Sequence, residues 1–261
     1  MGNKIIALFD MDGTLTPVRK QMKQEMVDAI NSLTQHCRVG IVTGSKYSYV
    51  VEQMPQLFSG KLNSKRIDIM PCNGTKLYTF NGSGYEIVSD IDMIEKVGRG
   101  PYTKIVNDCI SYQFEIMSKY DIPFTGTFVQ YRGSLLNWCP VGRDSGDSER
   151  EAFVDLDTRE GLRTKYKDLL QTRLAIKGID IRAALGGSTS LDIYPTGWDK
   201  TYCLTHYPEY EAYFTGDKCQ LGGNDWHLYE KLKGDGRSYE TSGCEQTIQF
   251  IEDIISRISK S

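Results

Sequence analysis

The chain has 261 residues, enough for one large domain or two small ones. Its net charge of −3 at pH 7 gives a nucleic-acid-binding role no electrostatic support, and no apolar run approaches the roughly 18–20 residues of a membrane span. The seven cysteines are odd in number, irregular in spacing and free of any CxxC pair, so they read as reduced thiols of a cytoplasmic protein.

In chain order, "IIALF" (5–9), "RVGIVTG" (38–44) and "IDIMPCNG" (67–74) are short apolar runs ending in polar or glycine-rich turns, the pattern of parallel strands buried on both faces. Met22, Met26, Ala29, Ile30 and Leu33 recur at helical steps between the first two, and "SKYSYVVEQM" predicts a helix after the second. Strand, helix, strand, helix, strand is the rhythm of a doubly wound α/β sheet. Around residue 85 the rhythm changes. A helix is expected over 100–119, a hairpin around Arg132-Gly133, and a helix opened by a capping box of Ser148 and Glu151. Another helix is expected over 159–175, then two strands joined by Gly186-Gly187. The α/β rhythm returns with "EAYFTGDK" (211–218) and closes on a helix over 246–258, with Ile248, Ile251, Ile254, Ile255 and Ile258 on its apolar face.

These elements predict an α/β fold: a doubly wound, mostly parallel-sheet core over 1–87 and 191–261, with an inserted α+β cap domain over 88–190 containing an antiparallel sheet. Ligands of such sheets bind beyond the C-terminal strand ends. The first of these ends carries the stretch "FDMDGT", which places Asp10 and Asp12 there together. Two carboxylates so close repel unless a cation or a chemical role accounts for them. Asp10 is suited to attack phosphorus as a nucleophile, Mg²⁺ to neutralise the anionic charges, and Asp12 to pass a proton to and from the bridging oxygen. Gly13 lets the chain turn tightly there. Thr43 at the second strand end is suited to bond a phosphate oxygen, and Lys200 in "GWDK" to pair with nucleophile and phosphate. Asp217, Asn224 and Asp225 in "TGDKCQLGGNDW" are candidate metal ligands.

These four segments, in this order, resemble the signatures of the haloacid dehalogenase superfamily of phosphotransferases. With "FDMDGTLTPVR", "YRGSLLNWCPVGR", "SLDIYPTGWDK" and "FTGDK…GGND" over nearly the full chain, the sequence resembles more narrowly the eukaryotic-type α-phosphomannomutases. The resemblance implies interconversion of mannose 6-phosphate and mannose 1-phosphate, with glucose phosphates often accepted, and a hexose 1,6-bisphosphate as activator and intermediate. It makes Asp10 the nucleophile and Asp12 the acid/base. Mg²⁺ falls to the Asp10 carboxylate, the Asp12 backbone carbonyl and Asp217, with Asn224 and Asp225 close by. Sugar-phosphate contacts fall on Arg19, Arg132, Arg143, Arg150, Ser190 and Asp192, and a homodimer through the cap domain is implied. Hexose monophosphates are thus the expected partners, with no nucleic acid and no membrane.

Three segments depart from the family, the first being "VTGSKYSYVVEQM". "DIMPCNGTKLY" keeps only its Asn73-Gly74, and Lys231 and Lys233 stand where relatives carry acidic residues near a second cation site, which argues against a second metal. Two other readings use the same residues: a sugar-phosphate phosphatase of the same superfamily, in which water takes the phosphoryl group, and a non-catalytic phosphosugar-binding protein. Two-ended phosphate recognition by the inserted arginines favours the mutase; an intact Asp10/Asp12 pair speaks against a pure binder.

Overall fold

The apolar runs of the chain become strands, and their helical neighbours fold against them, in a computed structural model that describes residues 4–260. In chain order the elements begin β1 (Lys4–Phe9), α1 (Gln24–Leu33), β2 (Arg38–Val42), α2 (Tyr47–Gln53), β3 (Ile67–Met70), β4 (Lys76–Phe80) and β5 (Tyr85–Asp90). There follow α3 (Met93–Val97), α4 (Arg99–Lys119), β6 (Val129–Tyr131), β7 (Leu136–Trp138), α5 (Asp147–Glu160), α6 (Leu162–Ile176), β8 (Ile181–Gly186) and β9 (Ser190–Pro195). A 3₁₀ turn (Lys200–His206) leads to β10 (Tyr210–Gly216), α7 (Trp226–Lys233), β11 (Ser238–Glu240) and α8 (Cys244–Lys260).

The chain forms two units. The first comprises residues up to Asp90, Trp198–Leu221 and Asp225 onward; the second comprises Ile91–Gly197 with Gly222–Asn224. The expected boundary at 190/191 falls at the start of β9, which pairs with β7 and β8 and therefore stays in the second unit until the chain leaves at Gly197.

The first unit holds a sheet of order β11-β10-β1-β2-β3-β4-β5. The pairs from β11 to β3 are parallel, and β4 and β5 add an antiparallel ribbon. Strand order reverses between β1 and β10, the point where such sheets bind ligands. Alternation splits the strands between two cores. Ala7, Phe9, Val39, Ile41, Ile67 and Ile69 face α1 and α8, while Ile6, Leu8, Val42, Met70 and Phe214 face α7 and the 3₁₀ turn. On α8, Ile251 and Ile254 are fully buried and Ile248, Ile255 and Ile258 pack at the margin, as the periodicity predicts.

In the second unit four antiparallel strands, ordered β6-β7-β9-β8, accompany α4, α5 and α6. Tyr112, Trp138 and Tyr166 form an aromatic triangle with centroids 5.0–6.1 Å apart. The buried indole N–H of Trp138 donates to Gln113 Oε1 at 2.9 Å. The expected capping box at Ser148/Glu151 is displaced towards the N-terminus: α5 begins at Asp147, and the Gly146 N–H donates to Glu149 Oε2. All seven cysteines are unpaired, and burial pushes the Cys37 thiol up to about 12. No helix among the described residues is long and apolar enough to cross a membrane.

One buried ion pair ties strands to the later chain. Asp68, fully buried on β3, takes the Arg38 guanidinium on both oxygens and also accepts from the Tyr207 hydroxyl. Removing one member leaves the others desolvated and unmatched. Asp68→Ala is expected to destabilise the protein by about 3 kcal/mol, read as a lowered urea midpoint, with Tyr207→Phe costing about 1 kcal/mol.

Candidate active site

Asp10 follows the last residue of β1, where its N–H still donates to Thr215 O of the parallel neighbour β10 at 2.9 Å. The sheet thus delivers Asp10 and, after Gly216, Asp217 to the same edge at the strand-order reversal. Asp10 is 4 % exposed. Lys200, fully buried, donates to Asp10 Oδ1 and to Asp225 Oδ1. Asp225 Oδ2 accepts the Lys218 N–H at 3.0 Å, so both its oxygens are engaged within the protein. One carboxylate oxygen each from Asp10, Asp217 and Asp225 lie within 4.8 Å of one another.

These groups are out of electrostatic balance. Burial opposes the Lys200 charge, but Asp10 and Asp225 overcome it and hold the ammonium above its ordinary pKa. Burial drives the Asp10 carboxyl well above the carboxylate range; Lys200 pulls it back, and Asp225 and Asp217 push it further up. Burial and the Asp225 charge also raise Asp217. Three carboxylates share one internal ammonium, with Lys218 reaching Asp217 at 3.0 Å from the exposed side. Hard oxygen donors with excess negative charge fit a divalent cation such as Mg²⁺.

Close approach here depends on glycines. Gly13 has φ +84°, and a Cβ there would stand 2.6 Å from Asp217 Oδ2. At Gly216 a Cβ would stand 2.7 Å from the Asp225 carboxylate.

Asp12 is placed differently. It is partly exposed, and its carboxylate is not one of the three clustered acids. Its Oδ1 accepts the Arg19 N–H at 3.0 Å and the Gln53 amide Nε2 at 3.1 Å. Arg19 itself has a left-handed backbone, φ 58°. Thr43, 3 % exposed, follows β2, and its Oγ1 accepts the Ser45 N–H at 3.1 Å.

The remaining expected residues belong to the second unit. Ser190 and Asp192 lie on β9, 4 % and 5 % exposed. The Ser190 hydroxyl donates to Gly186 O at 2.6 Å, and Asp192 Oδ1 accepts from Asn137 Nδ2 at 2.7 Å. Arg150 Nη2 donates to Thr189 Oγ1 at 2.6 Å, and Arg132 Nε to Gln130 Oε1 at 3.0 Å. Arg143 is pinned by its main chain, N–H to Thr127 O at 3.2 Å; its guanidinium has no partner among the described residues. Asn224 has a buried Oδ1 without a hydrogen-bond partner.

Comparison with known proteins decides among the readings these residues allow. The model of the eukaryotic phosphomannomutase family matches residues 26–257. The chain belongs to that family. Its relatives include the phosphomannomutase of Schizosaccharomyces pombe, 34 % identical over 97 % of this chain and 95 % of that one. Phosphomannomutase 2 of Dictyostelium discoideum is 35 % identical over 85 % of this chain and 86 % of its own. Among solved structures, IMP-bound Plasmodium falciparum IMP-nucleotidase matches with a TM-score of 0.67 at 14 % identity, over 97 % of this chain and 68 % of that one. Aspergillus fumigatus trehalose-6-phosphate phosphatase matches with 0.53 at 15 % identity, over 99 % and 94 %. At these identities the likeness is one of fold, the haloacid dehalogenase type. Family membership makes the chain an enzyme of the phosphomannomutase kind.

The phosphomannomutase signature read from sequence brings Asp10, Lys200, Asp217 and Asp225 together. It does not bring the Asp12 carboxylate into the acidic group. Gln53 and the main chain of Arg19, which hold that carboxylate, escape a reading based on motif, because a glutamine at a helix end carries no signal by itself. Gly13→Ala is expected to push Asp217 aside. If the acidic group holds a divalent cation, Mg²⁺ binding measured by calorimetry is expected to weaken at least about tenfold, since displacing one of its candidate oxygens costs more than about 1.4 kcal/mol, while the far-UV circular dichroism is retained.

Proposed function

We propose that this protein interconverts mannose 6-phosphate and mannose 1-phosphate, and glucose phosphates as well, by way of an aspartyl-phosphate on Asp10 and a hexose 1,6-bisphosphate. The observation that carries this is the division between two aspartates one residue apart: Asp10 is buried, ion-paired and inside the acidic group, and Asp12 is partly exposed and outside it. An Asp10 carboxylate oxygen attacks the phosphorus of the bisphosphate, and the bond from phosphorus to the sugar oxygen breaks. Asp12 gives that oxygen its proton, then takes a proton from the sugar hydroxyl that next attacks the phosphorylated Asp10. Lys200 holds Asp10 in place and Thr43 offers its hydroxyl to the phosphoryl group. The Asp10 carboxylate, the Asp12 carbonyl and Asp217 would hold Mg²⁺, with Asn224 and Asp225 as further candidate ligands, and the ion would supply positive charge to the phosphoryl transfer.

A mutase also binds the phosphate that is not being transferred. That role goes to Arg132, Arg143 and Arg150, with Arg19 and Ser190 assisting and Asp192 accepting sugar hydroxyls. The Arg143 guanidinium, without a partner among the described residues, and the Thr189-held Arg150 support it, since an arginine fork on a fixed backbone suits phosphate oxygens. Unpaired cysteines support a cytoplasmic location. A homodimer through the inserted unit is supported by α4, whose Ile110, Phe114 and Met117 are 51 %, 74 % and 45 % exposed on one helical stripe.

The deciding assay supplies mannose 1-phosphate and Mg²⁺, with or without catalytic glucose 1,6-bisphosphate, and follows mannose 6-phosphate and free phosphate together. Bisphosphate-stimulated isomer with little free phosphate is expected; free phosphate without isomer would make the enzyme a phosphatase. Asp10→Asn is expected to lose at least about 10³-fold in turnover, and chelation by EDTA to abolish it reversibly. Phe114→Asp is expected to convert a dimer to a monomer in sedimentation velocity.

A further inference from the structure

Gln53 is the last residue of α2 and is 2 % exposed. A carboxamide that deeply buried needs partners for both ends. Its Oε1 accepts the Thr16 hydroxyl at 2.7 Å, and its Nε2 donates to Asp12 Oδ1 at 3.1 Å. The Thr16 bond orients the amide, because with Oε1 turned to the hydroxyl the N–H₂ end faces the carboxylate. The backbone is fixed as well. Gln53 O accepts the Met22 N–H at 3.0 Å, and Gln56 Nε2 donates to Met22 O at 3.0 Å. The end of α2 is thereby stitched to the chain that leaves the Asp10–Arg19 loop.

Packing alone gives no reason for an amide at this position. The Thr16 hydroxyl has a second acceptor in reach, Met11 O at 3.2 Å, so it does not depend on Gln53. An apolar side chain of the same volume fills the same space without desolvating an amide. The group that does depend on Gln53 is the Asp12 carboxylate. Two neutral N–H donors converge on its Oδ1, one from the left-handed Arg19 backbone and one from Gln53. Oδ2 has no hydrogen bond among the described residues.

We propose that Gln53 is a positioning residue for Asp12, fixing Oδ1 together with the Arg19 N–H so that Oδ2 is the oxygen that exchanges a proton with the sugar. This rests on the acid/base reading of Asp12 given above. Gln53 touches neither phosphate nor sugar. It fixes the rotation of the carboxylate, and proton transfer fails when that rotation is lost, because acid catalysis requires Oδ2 within hydrogen-bond reach of the bridging oxygen. A neutral donor suits this role, whereas an arginine or lysine there would form a full ion pair with Asp12 and compete with the substrate for its proton.

The test substitutes Gln53→Met, which keeps volume and leaves Thr16 its bond to Met11 O. With glucose 1,6-bisphosphate as activator, kcat is expected to fall about 30-fold, part of the roughly 10²–10⁴ that a placed acid contributes, while KM for the hexose monophosphate stays within about twofold. In an Asp12→Asn background the same substitution is expected to cost nothing further, measured as single-turnover transfer from the bisphosphate. The urea midpoint of Gln53→Met reports whether the fold survives; if it does not, Gln53→Leu, apolar and equally unable to donate to Asp12, repeats the test, and the same kcat loss is expected. An unchanged kcat, or a Gln53→Met loss that persists in full without the Asp12 carboxylate, overturns the proposal. If Asp12→Asn itself leaves turnover intact, the acid/base reading falls first, and the two failures are told apart.

Discussion

Lys200 is the hinge of the architecture. A fully buried ammonium costs several kcal/mol to desolvate, and the cost is offset only where carboxylates meet it at close range. Its two partners, Asp10 and Asp225, are 190 and 25 residues away along the chain. Any arrangement that satisfies Lys200 therefore closes the end of β1, the 3₁₀ turn and the loop after β10 onto one another. The acidic group and the orientation of Asp10, the proposed nucleophile, follow from that closure.

The 3₁₀ turn that carries Lys200 is itself held by groups remote from the chemistry. The His206 Nε2–H donates to Gly74 O at 2.8 Å, and the Tyr207 hydroxyl reaches buried Asp68. Cys72, Asn73 and Gly74 are consecutive left-handed residues, with φ of 54°, 62° and 81°. Left-handed geometry in Cys72 and Asn73 costs about 1–3 kcal/mol each. It brings Gly74 so near the turn that a Cβ would stand 2.7 Å from Cys203 Cβ. Strain after β3 thus goes into seating the lysine, and it accounts physically for the Asn-Gly pair in this segment.

Much of this was legible in the sequence, because strand-end carboxylates follow apolar runs and apolar runs are visible. β1, β2, β3, α1, α4 and α8 follow from periodicity, and Asp10, Lys200, Asp217 and Asp225 from motif. Other features depend on contacts between distant segments and leave no local trace. The β4–β5 ribbon is half-exposed, with Ile87 and Val88 facing outward, so its alternation is weak. β11 is three residues long. β9 reads as a strand without revealing that it pairs with β7. Gln53 meets Asp12 across 41 residues of sequence, and nothing in "VVEQM" discloses the encounter.

The chain places two identical side chains one residue apart and gives them opposite surroundings. Asp10 is the last residue still bonded to the sheet, so it inherits the sheet's burial and the ammonium behind it. At Met11, buried and accepting the Leu15 and Thr16 N–H groups at 2.9 Å, the backbone stops extending and turns. Asp12 therefore leaves the line of β1 and meets neutral donors. Were the strand to continue one residue further, both carboxylates would share one low-dielectric site, and each would suppress the other's ionisation. Under the mechanism proposed above, the turn at Met11 separates an oxygen that must stay charged to attack from one that must gain and lose a proton. That separation is what a two-carboxylate phosphoryl transfer requires of a fold.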